Sequence, residues 1–180
     1  MIILMGVAGA GKSMQGRLLA DEHGFAWIST GEILRVLITG KRRQQMLAGK
    51  LLSDQEVIDV MDKVLDLIDV SEEFVLDGFP RTVNQAEWLI EQSRRGRFHL
   101  SGVFHLEATE AVVRERLMER GRPDDTAQAI DERFREYKAV TLPILDHFRE
   151  EGVEVYDIDA AQTPRQVHDE IVRCLDKMES

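Results

Sequence analysis

The sequence predicts an α/β fold in which a five-stranded parallel sheet is flanked by helices. Short apolar runs alternate with longer amphipathic segments along the 180 residues, a pattern typical of parallel strands joined by helical crossovers. Polar groups directly follow several apolar runs, and in parallel sheets such groups gather at the carboxyl edge, where ligands bind. The length, with 43% hydrophobic and 31% charged residues, is that of a single domain, 1–180.

The predicted strands are short segments rich in apolar residues, and several predicted helices have a start or stop signal. The strands are IILM at 2–5, AWIS at 26–29, FVLD at 74–77, GVFHL at 102–106 and VEVYDID at 153–159. The helices cover 13–23, 53–70, 82–95, 109–121, 126–150 and 163–178. Gly24 ends the first helix, Ser53 and Glu56 stand in capping-box spacing at the second, and Pro143 bends the fifth.

The composition excludes several classes of protein. A formal net charge of −10 does not suit a nucleic-acid binder, which needs a basic face, although clustered arginines can still form a positive cleft. No apolar stretch has the length of a membrane span. Cys174 is the one cysteine, so no internal disulfide forms, and we expect a cytoplasmic protein. The five histidines show no metal-ligand spacing.

The segment GVAGAGKS at 6–13 fits the phosphate-binding pattern G-x-x-x-x-G-K-[ST] between a strand and a helix. Its glycines let backbone N–H groups turn toward phosphate oxygens at a helix N-terminus. Lys12 can reach the β- and γ-phosphates of ATP, and the Ser13 hydroxyl can bind Mg²⁺. A glycine-rich turn without a ligand is the alternative, but the lysine, the serine and the strand context favour phosphate binding. Asp77, at the end of a predicted strand, is a second candidate for holding Mg²⁺ directly or through water.

Three further segments indicate where the phosphoryl group goes. LDGFPRT at 76–82 is followed by Gln85, STGEILR occupies 29–35, and RLMERGRPDD occupies 116–125. In this order and spacing, and over nearly the whole chain, the sequence resembles the adenylate kinases within the nucleoside monophosphate kinase family. The resemblance implies a P-loop kinase fold with a helical acceptor-binding segment at 29–58 and a short lid at 120–131.

The resemblance also implies a reaction, in which the γ-phosphoryl of Mg-ATP passes directly to AMP and two ADP result. The acceptor phosphate is already anionic at neutral pH, so no general base is needed, and catalysis consists of positioning and charge stabilisation. Arginine suits this task because its planar guanidinium binds phosphate bidentately. The residues implied to be catalytic are Lys12, Arg81, Arg120, Arg122 and Arg133.

The same resemblance assigns the nucleotide and metal contacts. For ATP, the implied residues are Gly9, Ala10, Gly11, Lys12, Ser13, Met14, Arg116, Arg120 and Gln162. For AMP, they are Thr30, Arg35, Lys50, Leu51, Leu52, Val57, Gly78, Phe79, Pro80, Arg81, Gln85, Arg122 and Arg133. In the lid, Asp124 and Asp125 would pair with arginines or bind nucleotide hydroxyls, and Mg²⁺ would lie near Ser13 and Asp77.

Three features depart from the family pattern. The family usually has Gly-Thr after the lysine, whereas this chain has Ser13 and Met14, which places an apolar group near the phosphates. The acceptor-binding segment is several residues shorter than usual, and its basic run KRRQQ at 41–45 is expected to be a solvated helix face. The lid is the short form without cysteine, so we expect no structural zinc, and the family favours a monomer.

The sequence leaves several alternative functions open. The UMP/CMP kinases, or a kinase of mixed specificity, are disfavoured because those relatives typically have SAG where this chain has STG, and Asn at the position of Gln85. A shikimate or gluconate kinase is disfavoured by DGFPRT at 77–82. A catalytically weak nucleotide-binding module is kept as an alternative by Met14 and by the short acceptor segment, although every implied arginine is present.

Overall fold

The computed structural model describes residues 1–48 and 52–178, and it contains the predicted five-stranded sheet. The strands are β1 (Ile2–Met5), β2 (Ala26–Ser29), β3 (Phe74–Asp77), β4 (Gly102–Glu107) and β5 (Val155–Asp159). Their order is β2-β3-β1-β4-β5, and all neighbours are parallel. Because β1 is central, the loop that follows it opens between the two halves of the sheet, where open α/β sheets bind ligands.

Helices cover both faces of the sheet. In the described ranges they are α1 (Lys12–His23), α2 (Thr30–Leu37), α3 (Gly40–Leu47), α4 (Asp54–Leu65), α5 (Val83–Arg94), α6 (Glu110–Arg120), α7 (Ala127–Glu136), α8 (Pro143–Glu150) and α9 (Pro164–Met178), with a π-helical turn at Tyr137–Thr141. Successive side chains of β1 point to opposite faces. Ile3 packs in the apolar core with α4, α5 and α8, whereas Ile2 and Leu4 pack in the core with α1, α6, α7 and α9. The α/β prediction is confirmed.

The second predicted helix is shorter than its apolar pattern indicated. It was expected to cover 53–70, but α4 ends at Leu65. Beyond it, the Asp69 carboxylate accepts hydrogen bonds from the Ser71 N–H and hydroxyl, a local turn that competes with helix. The start of α4 also differs from a capping box, because the Ser53 hydroxyl donates to the Glu56 carboxylate at 2.6 Å instead of accepting from the backbone.

The predicted helix over 126–150 is interrupted before its proline. α7 ends at Glu136, a π-helical turn follows, and Pro143 is the first residue of α8. Since proline has no N–H, the regular ladder cannot pass through it, and the Leu142 N–H instead donates to the Tyr137 carbonyl at 2.7 Å. The π-helical turn also contacts the turn after β3, because the Thr141 hydroxyl donates to the Arg81 carbonyl at 2.9 Å.

The segment predicted to bind the acceptor, 29–58, is largely helical in its described part. α2 follows β2 directly, and α3 carries the basic run 41–45 on an exposed surface with no buried residue. The expectation of a solvated helix face is therefore confirmed. Gly24, which was expected to end the first helix, has a left-handed φ of 74° at that position, a conformation that glycine adopts without steric cost.

Candidate active site

A cavity of about 460 Å³ opens at the carboxyl ends of β1 and β3. It lies between the loop after β1, the segment that begins with α2, and the residues that join α6 to α7. Most residues predicted from the sequence line it, although they come from distant parts of the chain. They are Gly9, Gly11, Lys12, Ser13, Met14, Thr30, Arg35, Leu52, Val57, Asp77, Gly78, Arg81, Gln85, Arg116, Arg120, Arg122, Asp124 and Arg133.

The loop after β1 has the backbone form of a phosphate cradle. Gly9 and Gly11 have φ values of 92° and 107°, in the region that favours glycine. A Cβ on Gly9 would lie 2.9 Å from Leu117 Cγ, so the loop can pack against α6 only with glycine there. The loop then enters α1 at Lys12, which places N–H groups and the positive end of the helix dipole at the cavity.

Lys12 lies in this loop without a carboxylate in direct contact among the described residues. Its Nζ donates to the Gly6 carbonyl at 2.8 Å and to the Val7 carbonyl at 3.0 Å. Desolvation lowers the pKa of Lys12 to about 8, Asp77 opposes that shift, and the nearby positive charges of the cavity arginines add to it. A bound phosphate would supply a negative charge in direct contact with the ammonium, which would favour its protonated form.

Ser13 and Asp77 form the oxygen pair expected of a magnesium site. The Ser13 hydroxyl donates to Asp77 Oδ2 at 2.6 Å, and Asp77 is buried at the end of β3. Hydroxyl and carboxylate oxygens are hard ligands of the kind that Mg²⁺ prefers, so the residues fit the metal. Met14 is 53% exposed, and Ser13 and Met14 line the same cavity.

Two buried aspartates hold arginines of the predicted lid and of α7. Asp125 accepts two hydrogen bonds from Arg120, at 2.6 and 2.8 Å, one from Arg133 at 3.2 Å and one from the Arg122 N–H at 3.1 Å. Asp124 is ion-paired with the same Arg133. Burial alone would raise the pKa of each carboxyl, but the arginine contacts outweigh it and hold both pKa values below their usual range.

The predicted lid also contacts α2, in the segment predicted to bind the acceptor. Arg35 of α2 donates to Asp124 Oδ2 at 3.1 Å, and Arg122 lies 3.9 Å from the Glu32 carboxylate. Both contacts join charged groups across the cavity mouth. In this structure the lid arginines therefore have carboxylate partners where phosphates could take their place.

Comparison with known proteins agrees with this geometry. The family model for adenylate kinase matches residues 4–153. The chain belongs to the adenylate kinase family. It is 34% identical to the adenylate kinase of Corynebacterium urealyticum, covering 98% of this chain and 99% of that one, and 33% identical to that of Leuconostoc mesenteroides, covering 98% and 97%. The adenylate kinase of Prochlorococcus marinus strain SARG is 36% identical over 84% of this chain and 86% of its own length.

Two of the residues predicted to contact the acceptor, Arg81 and Thr30, have partners within the protein. The Arg81 Nε donates to the Gly78 carbonyl at 2.9 Å. Desolvation lowers the pKa of Arg81, Asp77 opposes that shift, and neighbouring arginines add to it. A guanidinium nevertheless keeps its charge at any physiological pH. Thr30 is buried, and its hydroxyl donates to Met61 Sδ at 3.4 Å, a weak acceptor that a better partner could replace.

Five predicted residues lie beside the cavity but do not line it. Ala10 and Phe79 are buried in the two apolar cores, and Phe79 packs edge-on against Trp88. Pro80 follows a cis peptide bond and lines a smaller cavity of about 60 Å³ under the loop. Asp125 is bonded to Arg120 and Arg133, which line the cavity. The Gln162 carbonyl accepts from Arg116 at 3.3 Å.

Two predicted residues, Lys50 and Leu51, lie outside the described residues.

Arg116 is held in place by two backbone carbonyls, because its Nη1 also donates to the Ala160 carbonyl at 2.8 Å. These two carbonyl contacts hold the guanidinium at the rim, next to the loop after β5, where the family resemblance expects the ATP base.

Sequence reasoning missed several cavity residues. They are Ala8, Arg17, Ser29, Gly31, Glu32, Leu34, Met46 and Leu117. Arg17 could have been found from its spacing, since it lies four residues after Ser13 and therefore on the same face of α1. It is stacked 4.8 Å over the Trp27 ring and pairs with Glu32 at 3.1 Å.

Two groups of histidines and carboxylates come together in space without any signal in sequence spacing. Glu22, His23 and His168 form one group, and the other is His105, Glu107 and Asp157. In each group an imidazole and a carboxylate already bond each other, at 3.0 Å and 2.9 Å, which accounts for their proximity. None of the helices in the described ranges combines the length and apolar character of a membrane span.

Proposed function

We propose that this chain catalyses the transfer of the γ-phosphoryl group of ATP to AMP, giving two ADP. The observation that carries the proposal is one cavity with a phosphate loop on one side and, on the other, arginines from α2, α6, α7 and the turns after β3 and α6. Two nucleotides of high negative charge can approach each other only if positive groups surround the point of contact. The names of the relatives point to the same reaction.

The donor side would be the loop after β1. Backbone N–H groups of the loop and the Lys12 ammonium would bind the β- and γ-phosphates, and Arg116 and Arg120 would lie against the ATP base and phosphates. Lys12 is mainly protonated at pH 7, because its pKa is about 8. Ser13 and Asp77 would hold Mg²⁺ directly or through water, and the bound ion would neutralise charge on the transferring phosphates.

The acceptor side would be formed by α2, α4 and the turn after β3. Arg35 and Arg81 would bind the AMP phosphate, while Thr30 and Gln85 would contact the base and Leu52 and Val57 would line it, together with Lys50 and Leu51. An oxygen of the AMP phosphate attacks the γ-phosphorus, and the bond from that phosphorus to the β–γ bridging oxygen breaks. No proton has to be removed from the attacking oxygen, so no general base is required.

Closure would proceed by exchange of partners. Arg35, Arg120 and Arg133 are bonded to Asp124 and Asp125 in this structure. When nucleotides bind, these guanidinium groups, with Arg122, would turn to phosphate oxygens, which match their bidentate geometry. We place the moving parts at 29–58 and 120–131, and we propose a cytoplasmic monomer that uses Mg-ATP and needs no structural zinc.

The proposal is tested by supplying Mg-ATP with AMP, CMP, UMP or GMP and measuring the nucleoside diphosphates formed. We expect turnover with AMP, and its loss in Lys12→Ala and in Arg81→Ala. Arg94→Ala is the matched control, because Arg94 is an exposed arginine that pairs with Glu151 away from the cavity. Turnover with CMP or UMP in place of AMP would assign the chain to the other base class. ATP binding without any transfer would leave a binding module.

A further inference from the structure

Asp54, the first residue of α4, accepts three hydrogen bonds from the N-cap and first turn of α5. Its Oδ1 accepts from the Thr82 hydroxyl at 2.7 Å and from Gln85 Nε2 at 2.9 Å, and its Oδ2 accepts from Asn84 Nδ2 at 3.1 Å. One carboxylate thus joins the acceptor-binding segment to the helix that follows the arginine-bearing turn. Helix capping does not require this arrangement, because Thr82 already caps α5 by accepting from the Gln85 N–H.

The amide of Gln85 is held at both ends by partners of opposite polarity. Its Oε1 accepts from the Arg81 N–H at 2.8 Å, and its Nε2 donates to Asp54. A terminal amide can rotate by half a turn with little change in shape, since its two ends differ mainly in hydrogen-bonding character. Here such a rotation would set the amide nitrogen against an N–H and the amide oxygen against a carboxylate, so both contacts would become repulsive.

We propose that Asp54 is a positioning residue for base selection, which fixes the donor and acceptor ends of the Gln85 amide toward the acceptor base. This rests on the proposed function, in which Gln85 reads that base. Gln85 is 2% exposed and lines the cavity. One N–H of its nitrogen and one lone pair of its oxygen are used inside the protein, and the other N–H and the other lone pair are left for a ligand.

A fixed amide can distinguish bases whose edges are reversed. Adenine presents an amino donor and a ring-nitrogen acceptor, whereas hypoxanthine presents a carbonyl acceptor and an N–H donor on the same ring. A freely rotating amide could serve both edges, but one held by Asp54 serves a single order. Sites that hydrogen-bond a substrate group discriminate strongly, because the wrong partner leaves buried polar groups unpaired.

The test compares AMP with inosine monophosphate in the wild-type protein, Asp54→Ala and Asp54→Asn. Asparagine keeps an oxygen that can accept from Gln85 and Thr82, so it serves as the conservative replacement. We expect Asp54→Ala to lower the ratio of kcat/KM for AMP to that for inosine monophosphate by about tenfold. The KM for ATP should change by less than about twofold, and Asp54→Asn should keep most of the ratio.

Two controls separate positioning from a structural role. Glu56→Ala removes another carboxylate from the first turn of α4, which tests the helix-dipole contribution, and Asn84→Ala removes only the third hydrogen bond. Neither should alter the ratio. In addition, the side-chain amide protons of Gln85, followed by NMR without substrate, should exchange slowly in the wild-type protein and in Asp54→Asn, and rapidly in Asp54→Ala.

The outcomes are distinguishable. An active Asp54→Ala with an unchanged ratio, or with equal increases in the KM for AMP and for ATP, overturns the role of Asp54 and leaves the proposed function standing. Failure of the wild-type protein to phosphorylate AMP overturns the proposed function, and base selection with it. In that case the NMR measurement still reports whether Asp54 holds the amide, and rapid exchange in the wild-type protein overturns that contact too.

Discussion

The positive groups on the two sides of the cavity, proposed as the donor side and the acceptor-lid side, have different partners. Lys12 on the donor side is surrounded by backbone carbonyls and carries a lowered pKa, whereas the lid arginines are bonded to Asp124 and Asp125. The Lys12 ammonium can therefore bind a phosphate without giving up an ion pair, whereas the lid arginines must first give up the carboxylates of Asp124 and Asp125. The difference implies that ATP affinity depends on one proton and that lid closure depends on an exchange of ion pairs.

The largest effect should come from removing the Lys12 ammonium, which bonds backbone carbonyls and no carboxylate of the described residues. We expect Lys12→Ala to lower kcat on the order of a thousandfold, because a preorganised charge at the transferring phosphate is lost. Steady-state kinetics with ATP and AMP would measure this. Lys63→Ala, at an exposed position on α4, should have no effect. Near-normal turnover of Lys12→Ala would contradict the role proposed for the Lys12 ammonium.

The next effect concerns the lid. Asp125→Asn should lower the free energy of unfolding by about 2 kcal/mol, because the carboxylate is buried and serves Arg120, Arg133 and the Arg122 N–H. Urea unfolding would measure it. With a saturating analogue that joins two adenosines through five phosphates, the arginines gain new partners and the loss should shrink. An equal loss with and without the analogue would contradict partner exchange.

The pH dependence should separate the two sides. Above pH 8 the free protein has lost the Lys12 proton, so binding of ATP must recover it, and the Kd for ATP should rise toward tenfold per pH unit up to about pH 10. AMP would bind to guanidinium groups, which stay charged, so its Kd should change little. Calorimetry at several pH values measures both. Parallel rises for the two nucleotides would contradict the assignment.

The same lowered pKa has a consequence for stability. In the unfolded chain Lys12 would titrate near its ordinary value of 10.5, above its value of about 8 in the folded protein. Between these values the unfolded state binds more protons, so the contribution of Lys12 to stability rises with pH in that window. Lys12→Met should abolish this rise, which thermal unfolding between pH 8 and 10 would detect. A rise of the same size in Lys12→Met would show that another group causes it.

The smallest effect should come from Glu32, at the mouth of the cavity. Its side chain is 41% exposed and pairs with Arg17 at 3.1 Å and with Arg122 at 3.9 Å. Exposed ion pairs contribute little, so Glu32→Gln should change the free energy of unfolding by no more than about 0.5 kcal/mol. Chemical denaturation would measure this. A loss as large as that of Asp125→Asn would place the main restraint on the lid at Glu32.

The parts of the site that the sequence predicted are those with local signals. The phosphate loop lies between an apolar run and a helix, and Asp77 ends a strand, so each could be placed from its immediate neighbours. The end of the first helix at Gly24 was visible for the same reason. The resemblance to the family then supplied the arginines, of which Arg116 and Arg120 would by helical spacing alone have been assigned to a solvated face.

The contacts that join distant segments could not be predicted. Asp54 and Gln85 are 31 residues apart, and Arg35 and Asp124 are 89 apart, so only the packing of helices brings them together. Trp27 is another example. A Cβ on Gly16 would lie 2.3 Å from the indole ring, which shows that this glycine makes room for the tryptophan over which Arg17 stacks. Helix ends such as Leu65 depended on hydrogen bonds that apolar periodicity does not record.

The comparison between the two sides is tested most directly by the pKa of Lys12 itself. The side-chain resonances of Lys12, assigned with the help of Lys12→Arg, can be titrated by NMR in the free protein and with saturating ATP. We expect a pKa near 8 without nucleotide and a value raised by about two units or more with ATP, because the phosphates favour the ammonium. A pKa close to 10.5 in the free protein, unchanged by ATP, would contradict the account.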